Sequence, residues 1–329
     1  MTVAEAWNGP LGQHWAAHPD RYNAMLDGFD AALFDAAAIG GGDRVVDIGC
    51  GSGRTTRTAA QRAPRGRVTG VDISEPLLGR ARELTDADRF PHVTYRLDDA
   101  QTCVFEPGGY DLAISRGGVM FFADPVAAFT NIAGALRPGG RLVFLCPQPA
   151  QPDGEERKAL GLLASLLGRD HTPENAVATA MASLSEPERV HEVLGAAGFT
   201  EVVVTGVSAD TCWGEDAADA VEFFVSRTPG LAVSDTTRAA MTSTLLPHET
   251  PRGVLLRAGV WVVTAHTSWQ SSVRIGPDRA RHDPDGGSLR AVPSSLADQR
   301  AASDAVHRKA EGRPHTGRIR AFRQRGEAP

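Results

Sequence analysis

A strand-like segment ending in a glycine-rich turn lies near residue 50 of this 329-residue chain, in DRVVDIGCGSGRTT (43–56). Asp47 lies two residues before the first of three alternating glycines, Gly49, Gly51 and Gly53. A strand, a glycine turn and a helix N-terminus bring backbone N–H groups close to the polar groups of a ligand. A carboxylate at the strand end can order such a loop and face an ammonium group. The stretch therefore predicts a ligand site, which could take a phosphate, a nicotinamide dinucleotide or another nucleotide-like ligand.

The glycine spacing argues against two common nucleotide sites. The dinucleotide fingerprint G-x-G-x-x-G needs glycine or alanine where this chain has Arg54. A bulky side chain there works against the close helix–strand packing of a pyrophosphate site. The phosphate-loop pattern G-x-x-x-x-G-K-[ST] is absent from the sequence. An NAD(P)-dependent oxidoreductase is therefore kept only as an alternative.

Two more acidic residues follow the next two predicted strands. Asp72 lies at the end of the strand in VTGVDIS, where an acid can accept hydrogen bonds from both hydroxyls of a ribose. The neighbouring Ile73 can pack on an adenine face. Asp99, in LDDAQ, can accept a hydrogen bond from an adenine amino group. Together with Asp47, these residues favour a nucleoside ligand that also carries an ammonium group.

A parallel sheet covered on both faces would bring these residues together. Helical spacing runs through the first 40 residues, and short apolar strands then alternate with helices. The predicted strands are residues 44–48, 67–71, 93–96, 110–115, 141–146, 200–207 and 259–265, the last antiparallel. The predicted helices between them are residues 55–61, 75–84, 125–136, 188–197, 217–226 and 236–246.

Two further segments lack a strand pattern. Residues 147–185 follow the fifth strand, where ligands bind in open α/β sheets, so we predict a lid or substrate wall there. Residues 266–329 are rich in Gly, Pro, Ser, Asp and Arg, and such a composition buries too little apolar surface to offset its ordering entropy. This segment is predicted to be a disordered tail, with a short helix at about 294–311.

Composition and charge narrow the class of protein. Hydrophobic residues make up 42% of the chain and its formal net charge is −6, which gives no reason to expect nucleic acid or an anionic membrane as a partner. No basic, apolar leader or long apolar run is present. The four cysteines are scattered without zinc-type spacing, so we expect reduced thiols, no bound metal and a cytoplasmic protein. We expect the protein to be either a monomer or a homodimer.

The motifs, taken in order, resemble those of a known family. The segments are VVDIGCGSGRTT, VTGVDIS, LDDAQ, YDLAISRGGVMFF and LRPGGRLVF. They are similar to the class I S-adenosylmethionine-dependent methyltransferases, and within these to the small-molecule group related to the ubiquinone and menaquinone methyltransferases. The resemblance covers residues 40–146, and EPERVHEVLGAAGFTEVVVTGV and GVWVVTA fit the end of the same fold. It implies a Rossmann-like, seven-stranded, mostly parallel sheet over residues 41–265.

The resemblance also implies residue roles. Asp47 and the three glycines would hold the methionine end of S-adenosylmethionine, Asp72 its ribose, and Ile73, Asp99 and Ala100 its adenine. Ser115 and Arg116 would lie beneath the methionine part and the reaction centre. In such relatives an N-terminal helix caps the cofactor, so residues 1–40 would form capping helices, with Trp15 and Tyr22 as candidate contacts.

The sequence contains no strong catalytic motif. None is required, because much of the rate of methyl transfer can come from positioning of the reacting groups. Arg116 could bind a carboxylate or phosphate of the acceptor, or it could form an ion pair within the protein. The expected product is a methylated small molecule with S-adenosylhomocysteine, and the acceptor atom stays open between O, N and C. A cofactor-binding protein of this fold that transfers no methyl group is a further alternative. Histidines that could act as a general base are His14, His18, His171, His191 and His248.

Overall fold

The computed structural model describes residues 1–149, 154–168, 176–228 and 230–268. Its strands are β1 (Arg44–Ile48), β2 (Arg67–Asp72), β3 (Val93–Leu97), β4 (Tyr110–Arg116), β5 (Leu136–Pro147), β6 (Phe199–Gly214), β7 (Glu249–Thr250) and β8 (Gly253–Thr267). Its helices are α1 (Val3–Asn8), α2 (Pro10–Ala17), α3 (Pro19–Ala37), α4 (Arg54–Arg62), α5 (Glu75–Leu84), α6 (Pro125–Ala135), α7 (Glu155–Leu166), α8 (Ala176–Met181), α9 (Pro187–Ala196), α10 (Ala217–Ser226) and α11 (Asp235–Leu245).

The strands form one sheet in the order β3-β2-β1-β4-β5-β8-β6, and β7 pairs with β8. The first five strands are parallel, whereas β8 runs antiparallel to both β5 and β6. This confirms the predicted α/β fold with a mostly parallel sheet and an antiparallel last strand. The two-residue β7 is an additional strand that the sequence did not indicate.

The sheet topology fixes where a ligand can bind. Strand order reverses between β1 and β4, and ligands of open α/β sheets bind at the carboxyl ends of the strands beside such a switch point. In the sheet register Asp47 pairs with Gly70 and Asp72 pairs with Leu97. The strand ends that carry the predicted acidic residues therefore meet at one edge of the sheet.

Buried apolar side chains cover both faces of the sheet. One cluster packs α6 and α9 against one face, around Phe129 and Phe144. A second packs α3 and α4 against the other face, around Phe29 and Phe34. The near-continuous burial of β1 is the pattern expected of a strand covered on both sides. Among the described helices, none has the length and apolar character needed to cross a membrane.

Three strands are longer than predicted. β5 begins at Leu136, directly after α6, so the Pro138 and glycine segment ends the helix as expected but already belongs to the strand. β6 and β8 each extend well beyond β5 and pair with one another there, for example at Asp210 and Arg257. The β6 extension, SADTCWG (208–214), is largely polar, whereas the β8 extension begins with the apolar run GVLL (253–256) and was missed despite it.

The predicted start of the tail is wrong by two residues. His266 and Thr267 belong to β8, and Thr267 Oγ1 accepts a hydrogen bond from the Gly140 amide and donates one to the Arg137 carbonyl. The remaining tail, with its predicted helix at 294–311, lies outside the described residues. Within the predicted lid, α7 and α8 are helical, and His171 lies outside the described residues.

Candidate active site

A cavity opens at the carboxyl ends of the central strands and collects most of the predicted site residues. Those in its wall are Gly49, Gly51, Asp72, Ile73, Asp99, Ala100, Arg116, Trp15 and Tyr22. Asp47, Gly53 and Ser115 do not line the cavity; Asp47 and Ser115 are fully buried, and Ser115 Oγ accepts a hydrogen bond from the Gly118 amide at 3.1 Å. The sheet therefore brings together residues up to 100 positions apart in the sequence.

The glycine loop uses a backbone that only glycine adopts readily. Gly49, Gly51 and Gly53 have φ values of 66°, 53° and 77°. A Cβ on Gly49 would stand 2.8 Å from the Cα of Gly118, so this position also permits close approach of two loops. Nothing lies within 4 Å of the corresponding point at Gly51, which faces open space in the cavity. The loop thus presents bare backbone to a ligand.

Asp72 anchors this loop and remains in the cavity wall. Its Oδ2 accepts a hydrogen bond from the Gly51 amide at 2.8 Å, and its Oδ1 accepts one from the Ser74 amide at 2.9 Å. Burial raises the pKa of Asp72, while these amides oppose the rise. Each carboxylate oxygen has a second lone pair, so the same group can also accept hydrogen bonds from ligand hydroxyls.

Asp47 is buried with one oxygen unsatisfied. Its Oδ2 accepts a hydrogen bond from Thr56 Oγ1 at 2.7 Å, whereas Oδ1 has no hydrogen-bond partner among the described residues. Burial raises the pKa of Asp47 to about 7. A buried, unpartnered carboxylate oxygen beneath the glycine loop fits the expected cationic group of a ligand.

This raised pKa gives a testable pH dependence. The folded protein holds the Asp47 proton more tightly than the unfolded chain does, because the pKa of an aspartate in the unfolded chain is about 4. The resulting stabilisation is complete below about pH 4 and is lost as the pH rises through 7. We therefore expect Asp47→Asn to become progressively more stable relative to wild type between pH 5 and pH 8, as measured by urea unfolding without ligand.

Asp111→Asn is the matched control, because the fold lowers the pKa of Asp111 whereas it raises the pKa of Asp47. Hydrogen bonds from Arg44 hold the pKa of Asp111 well below its usual range, so its carboxylate contributes stability that is lost only as the solution becomes strongly acidic. Asp111→Asn is accordingly expected to show no relative gain between pH 5 and pH 8. If the free energies of unfolding of wild type and Asp47→Asn changed in parallel with pH, the raised pKa of Asp47 would be contradicted.

Asp99 stands at the far side of the cavity with its loop already ordered. Its carboxylate accepts hydrogen bonds from the Gln101 amide at 2.9 Å and from Gln101 Nε2 at 3.2 Å. Gln101 Oε1 in turn accepts the amides of Ala123 and Asp124. The side chain of Gln101, which the sequence motifs did not single out, therefore fixes Asp99 against the loop after β4.

Arg116 ties the end of β4 to α3. Its guanidinium donates to Asp30 at 2.8 Å and to the side-chain oxygen of Asn23, and its side chain is only 8% exposed. Arg54, at the start of α4, reaches Asp27 at 3.1 Å and Asp30 at 3.9 Å. These ion pairs fasten the N-terminal helices over the glycine loop. The sequence motifs did not reveal the acidic residues of α3, which look like an ordinary solvated face.

The N-terminal helices place aromatic rings over the cavity. Trp15 stacks on Tyr22 with ring centroids 3.6 Å apart, and Trp7 contacts Trp15 and Phe121 edge to face at 5.5 and 5.3 Å. Trp7 is a cavity residue that sequence reasoning missed, although an aromatic residue in a predicted capping segment was a usable signal. Apolar wall residues from several other segments complete this side: Leu26, Met120, Phe122, Leu145, Met181 and Val260.

The candidate histidines with described positions lie outside the cavity wall. The spacing of His14 and His18 predicts a shared helix face, which is wrong, because His14 lies on α2 whereas His18 lies at the junction of α2 and α3. Their ring centroids are still 4.3 Å apart. His191 is exposed on α9, and His248 pairs with Glu155 at 2.8 Å. Only His14 is joined to the cavity, through the hydroxyl of Tyr22 at 3.0 Å.

Comparison with known proteins agrees with this arrangement. Residues 45–140 match the family described as a methyltransferase domain. Nocamycin O-methyltransferase of Saccharothrix syringae is 33% identical over 169 residues, which cover 48% of this chain and 59% of that protein. Demethylmenaquinone methyltransferase of Thermus thermophilus is 29% identical over 177 residues, which cover 50% of this chain and 80% of that protein. Over three other matched stretches the chain spans 33% to 49% of the curated relatives' own length.

A solved structure supports the fold. Phosphoethanolamine N-methyltransferase 2 of Haemonchus contortus, in complex with S-adenosyl-L-methionine, superposes with a TM-score of 0.51 at 19% identity, covering 82% of this chain and 60% of that one. Residues 45–140 therefore match a methyltransferase domain, and the described part of the chain shares the fold of a solved methyltransferase. The relatives named above place it beside small-molecule methyltransferases, which confirms the resemblance drawn from the motifs.

Proposed function

We propose that this protein transfers the methyl group of S-adenosylmethionine to a small organic acceptor. The cavity carries the proposal, because Asp72 and Asp99 stand at the ends of neighbouring strands beside a loop of bare glycine backbone. When bound, S-adenosylmethionine supplies a methyl group that is already activated on a sulfonium. The chain's own task is to bind, orient and exclude water.

The residues present fit this cofactor. Asp72 accepts the ribose hydroxyls, and Ile73 packs against the adenine. Asp99 and the backbone N–H of Ala100 read the adenine edge. The open loop at Gly51 would take the methionine end, and the unsatisfied oxygen of Asp47, buried behind the cavity wall, would add negative charge toward its ammonium group. A nicotinamide cofactor would not use a carboxylate at the position of Asp47 in this way.

The apolar part of the cavity wall favours an apolar, uncharged acceptor. Phe121, Phe122 and Met181 contribute to it, and such surfaces bind organic molecules by removing apolar area from water. The guanidiniums of Arg54 and Arg116 line the same cavity, but both are paired with acids of α3. Arg116 therefore serves as an anchor for α3 rather than as a receptor for an acidic acceptor.

Methyl-labelled S-adenosylmethionine tests this proposal. The protein is incubated with a panel of hydroxynaphthoquinones and polycyclic phenols beside carboxylated analogues of the same size. The panel is chosen because two relatives are named nocamycin O-methyltransferase and demethylmenaquinone methyltransferase. We expect label in the neutral acceptors together with stoichiometric S-adenosylhomocysteine. Tight binding of S-adenosylhomocysteine without transfer to any acceptor would instead support a cofactor-binding protein that transfers no methyl group.

A further inference from the structure

Tyr22 connects the cavity wall to a histidine outside it. Tyr22 lines the cavity and is 3% exposed. Its Oη lies 3.0 Å from Nδ1 of His14, and Nε2 of His14 lies 2.9 Å from Oγ of Ser226, the last residue of α10. Ser226 is exposed to solvent. The three side chains form a continuous hydrogen-bonded chain from the cavity wall to the protein surface.

The hydrogen-bond partners fix the direction of this chain. Ser226 Oγ donates its single proton to the Phe223 carbonyl at 2.7 Å, so toward His14 it can only accept. His14 therefore carries its proton on Nε2, and its Nδ1 is an acceptor. The hydroxyl of Tyr22 must then donate to Nδ1. Tyr22 is thus a cavity-wall residue whose hydroxyl proton already points at a base.

The surroundings keep that base neutral. Burial lowers the pKa of His14, and the positive charges of His18 and Arg227 lower it further. The other groups that face the imidazole are the Tyr22 hydroxyl, Ser226 and the ring of Phe223. Burial raises the pKa of Tyr22, although Arg227 opposes the rise. His14 can accordingly accept a proton at neutral pH.

We propose that Tyr22 is the general base toward a hydroxyl acceptor, and that His14 is the positioning residue that receives the Tyr22 proton. This inference rests on the proposed methyl transfer and selects oxygen as the acceptor atom. It also explains why α2 and α3, remote from the sheet motifs, contribute to the site.

Every proton and electron pair that moves in this step goes to a named group. The acceptor hydroxyl gives its proton to Tyr22 Oη while the Tyr22 proton moves to His14 Nδ1. The acceptor oxygen bonds to the methyl carbon as the methyl–sulfur bond breaks, and that electron pair stays on sulfur. The positive charge lost from sulfur reappears on the His14 imidazolium, which releases its Nε2 proton to solvent beside Ser226.

Nitrogen NMR of the S-adenosylhomocysteine complex tests the relay without turnover. We expect a neutral His14 at pH 7 with its proton on Nε2 and a hydrogen-bonded, unprotonated Nδ1. In Tyr22→Phe the Nδ1 resonance should move toward that of a free acceptor nitrogen. A His14 protonated on Nδ1 in the wild-type complex at pH 7 would overturn the proposal.

Kinetics test the catalytic role, with 1-naphthol and 1,4-dihydroxynaphthalene as acceptors. We expect Tyr22→Phe and His14→Gln to lower kcat by about 100-fold, within the usual range for a general base, with little change in KM for the cofactor. The acid limb of the pH–rate profile should disappear in His14→Gln. Equal kcat values in Tyr22→Phe and wild type would overturn the role of Tyr22.

Two variants serve as matched controls. Tyr95→Phe removes a half-buried tyrosine hydroxyl, which bonds Thr85 at 2.9 Å outside the cavity wall. His92→Gln removes an imidazole that bonds the Ala60 carbonyl at 3.2 Å. Both should keep wild-type kcat. Calorimetry separates the two proposals, because failure of wild type to bind S-adenosylhomocysteine refutes the function itself, whereas normal binding with unaffected kcat in Tyr22→Phe refutes only the relay.

Discussion

Replacing Asp72 with alanine is expected to weaken binding of S-adenosylhomocysteine by roughly 100-fold, or about 3 kcal/mol. Two effects add in this variant. The ribose hydroxyls lose their charged acceptor, and the amides of Gly51 and Ser74 lose the carboxylate that holds the glycine loop to the end of β2. Isothermal titration measures the affinity, and circular dichroism checks that the variant is folded.

Asp86→Ala is the matched control for that variant. The Asp86 carboxylate also accepts two backbone amides, from Asp88 at 3.0 Å and Arg89 at 3.2 Å, but in a turn that does not contribute to the cavity wall. It should leave the affinity unchanged. If a folded Asp72→Ala variant bound S-adenosylhomocysteine as tightly as wild type, Asp72 would have no part in the ribose site.

Replacing Arg116 with methionine is expected to lower the free energy of unfolding by about 3 kcal/mol, the cost typical of leaving one partner of a buried ion pair uncompensated. Arg116 is 8% exposed and Asp30 is 18% exposed, so water can replace little of the lost interaction. Since the pair also fastens α3 over the cavity, binding of S-adenosylhomocysteine should weaken as well. Urea unfolding and calorimetry measure the two effects.

An exposed ion pair provides the control. Arg189 pairs with Glu192 at 2.7 Å, but the two side chains are 44% and 68% exposed, so Arg189→Met should cost less than about 1 kcal/mol. Adding Asp30→Asn to Arg116→Met should recover part of the lost stability, because it removes an acid whose remaining cationic partner, Arg54, is 3.9 Å away. An Arg116→Met variant as stable as Arg189→Met would contradict the anchoring role.

The residues of the cofactor side could be predicted from the sequence because local patterns determine their placement. Asp47 and Asp72 each end a short apolar strand, and parallel strands bring such ends to one edge of a sheet. The three glycines adopt a left-handed backbone that few other residues tolerate, so their spacing carries structural information by itself. The sheet motifs alone therefore located Asp72, Ile73 and Asp99, which line the cavity.

The acceptor side could not be predicted in this way, because long-range pairing creates it. Asp30 looks like one more acid on an exposed helix face until the fold brings it 2.8 Å from Arg116, 86 residues away. His14 meets Ser226 across 212 residues, and no local pattern joins α2 to α10. The extensions of β6 and β8 were missed for a related reason, since the polar β6 segment is ordered by its pairing with β8 across 40 or more residues of sequence.

The measurement that tests the central claim most directly is isothermal titration of the full chain with S-adenosylhomocysteine, with NADH and NADPH titrated in parallel. The account predicts micromolar or tighter binding of S-adenosylhomocysteine at one site per chain, and no heat from either nicotinamide cofactor. Binding of NADH or NADPH with none of S-adenosylhomocysteine would contradict the interpretation of the glycine loop, and the proposed methyl transfer would fail with it.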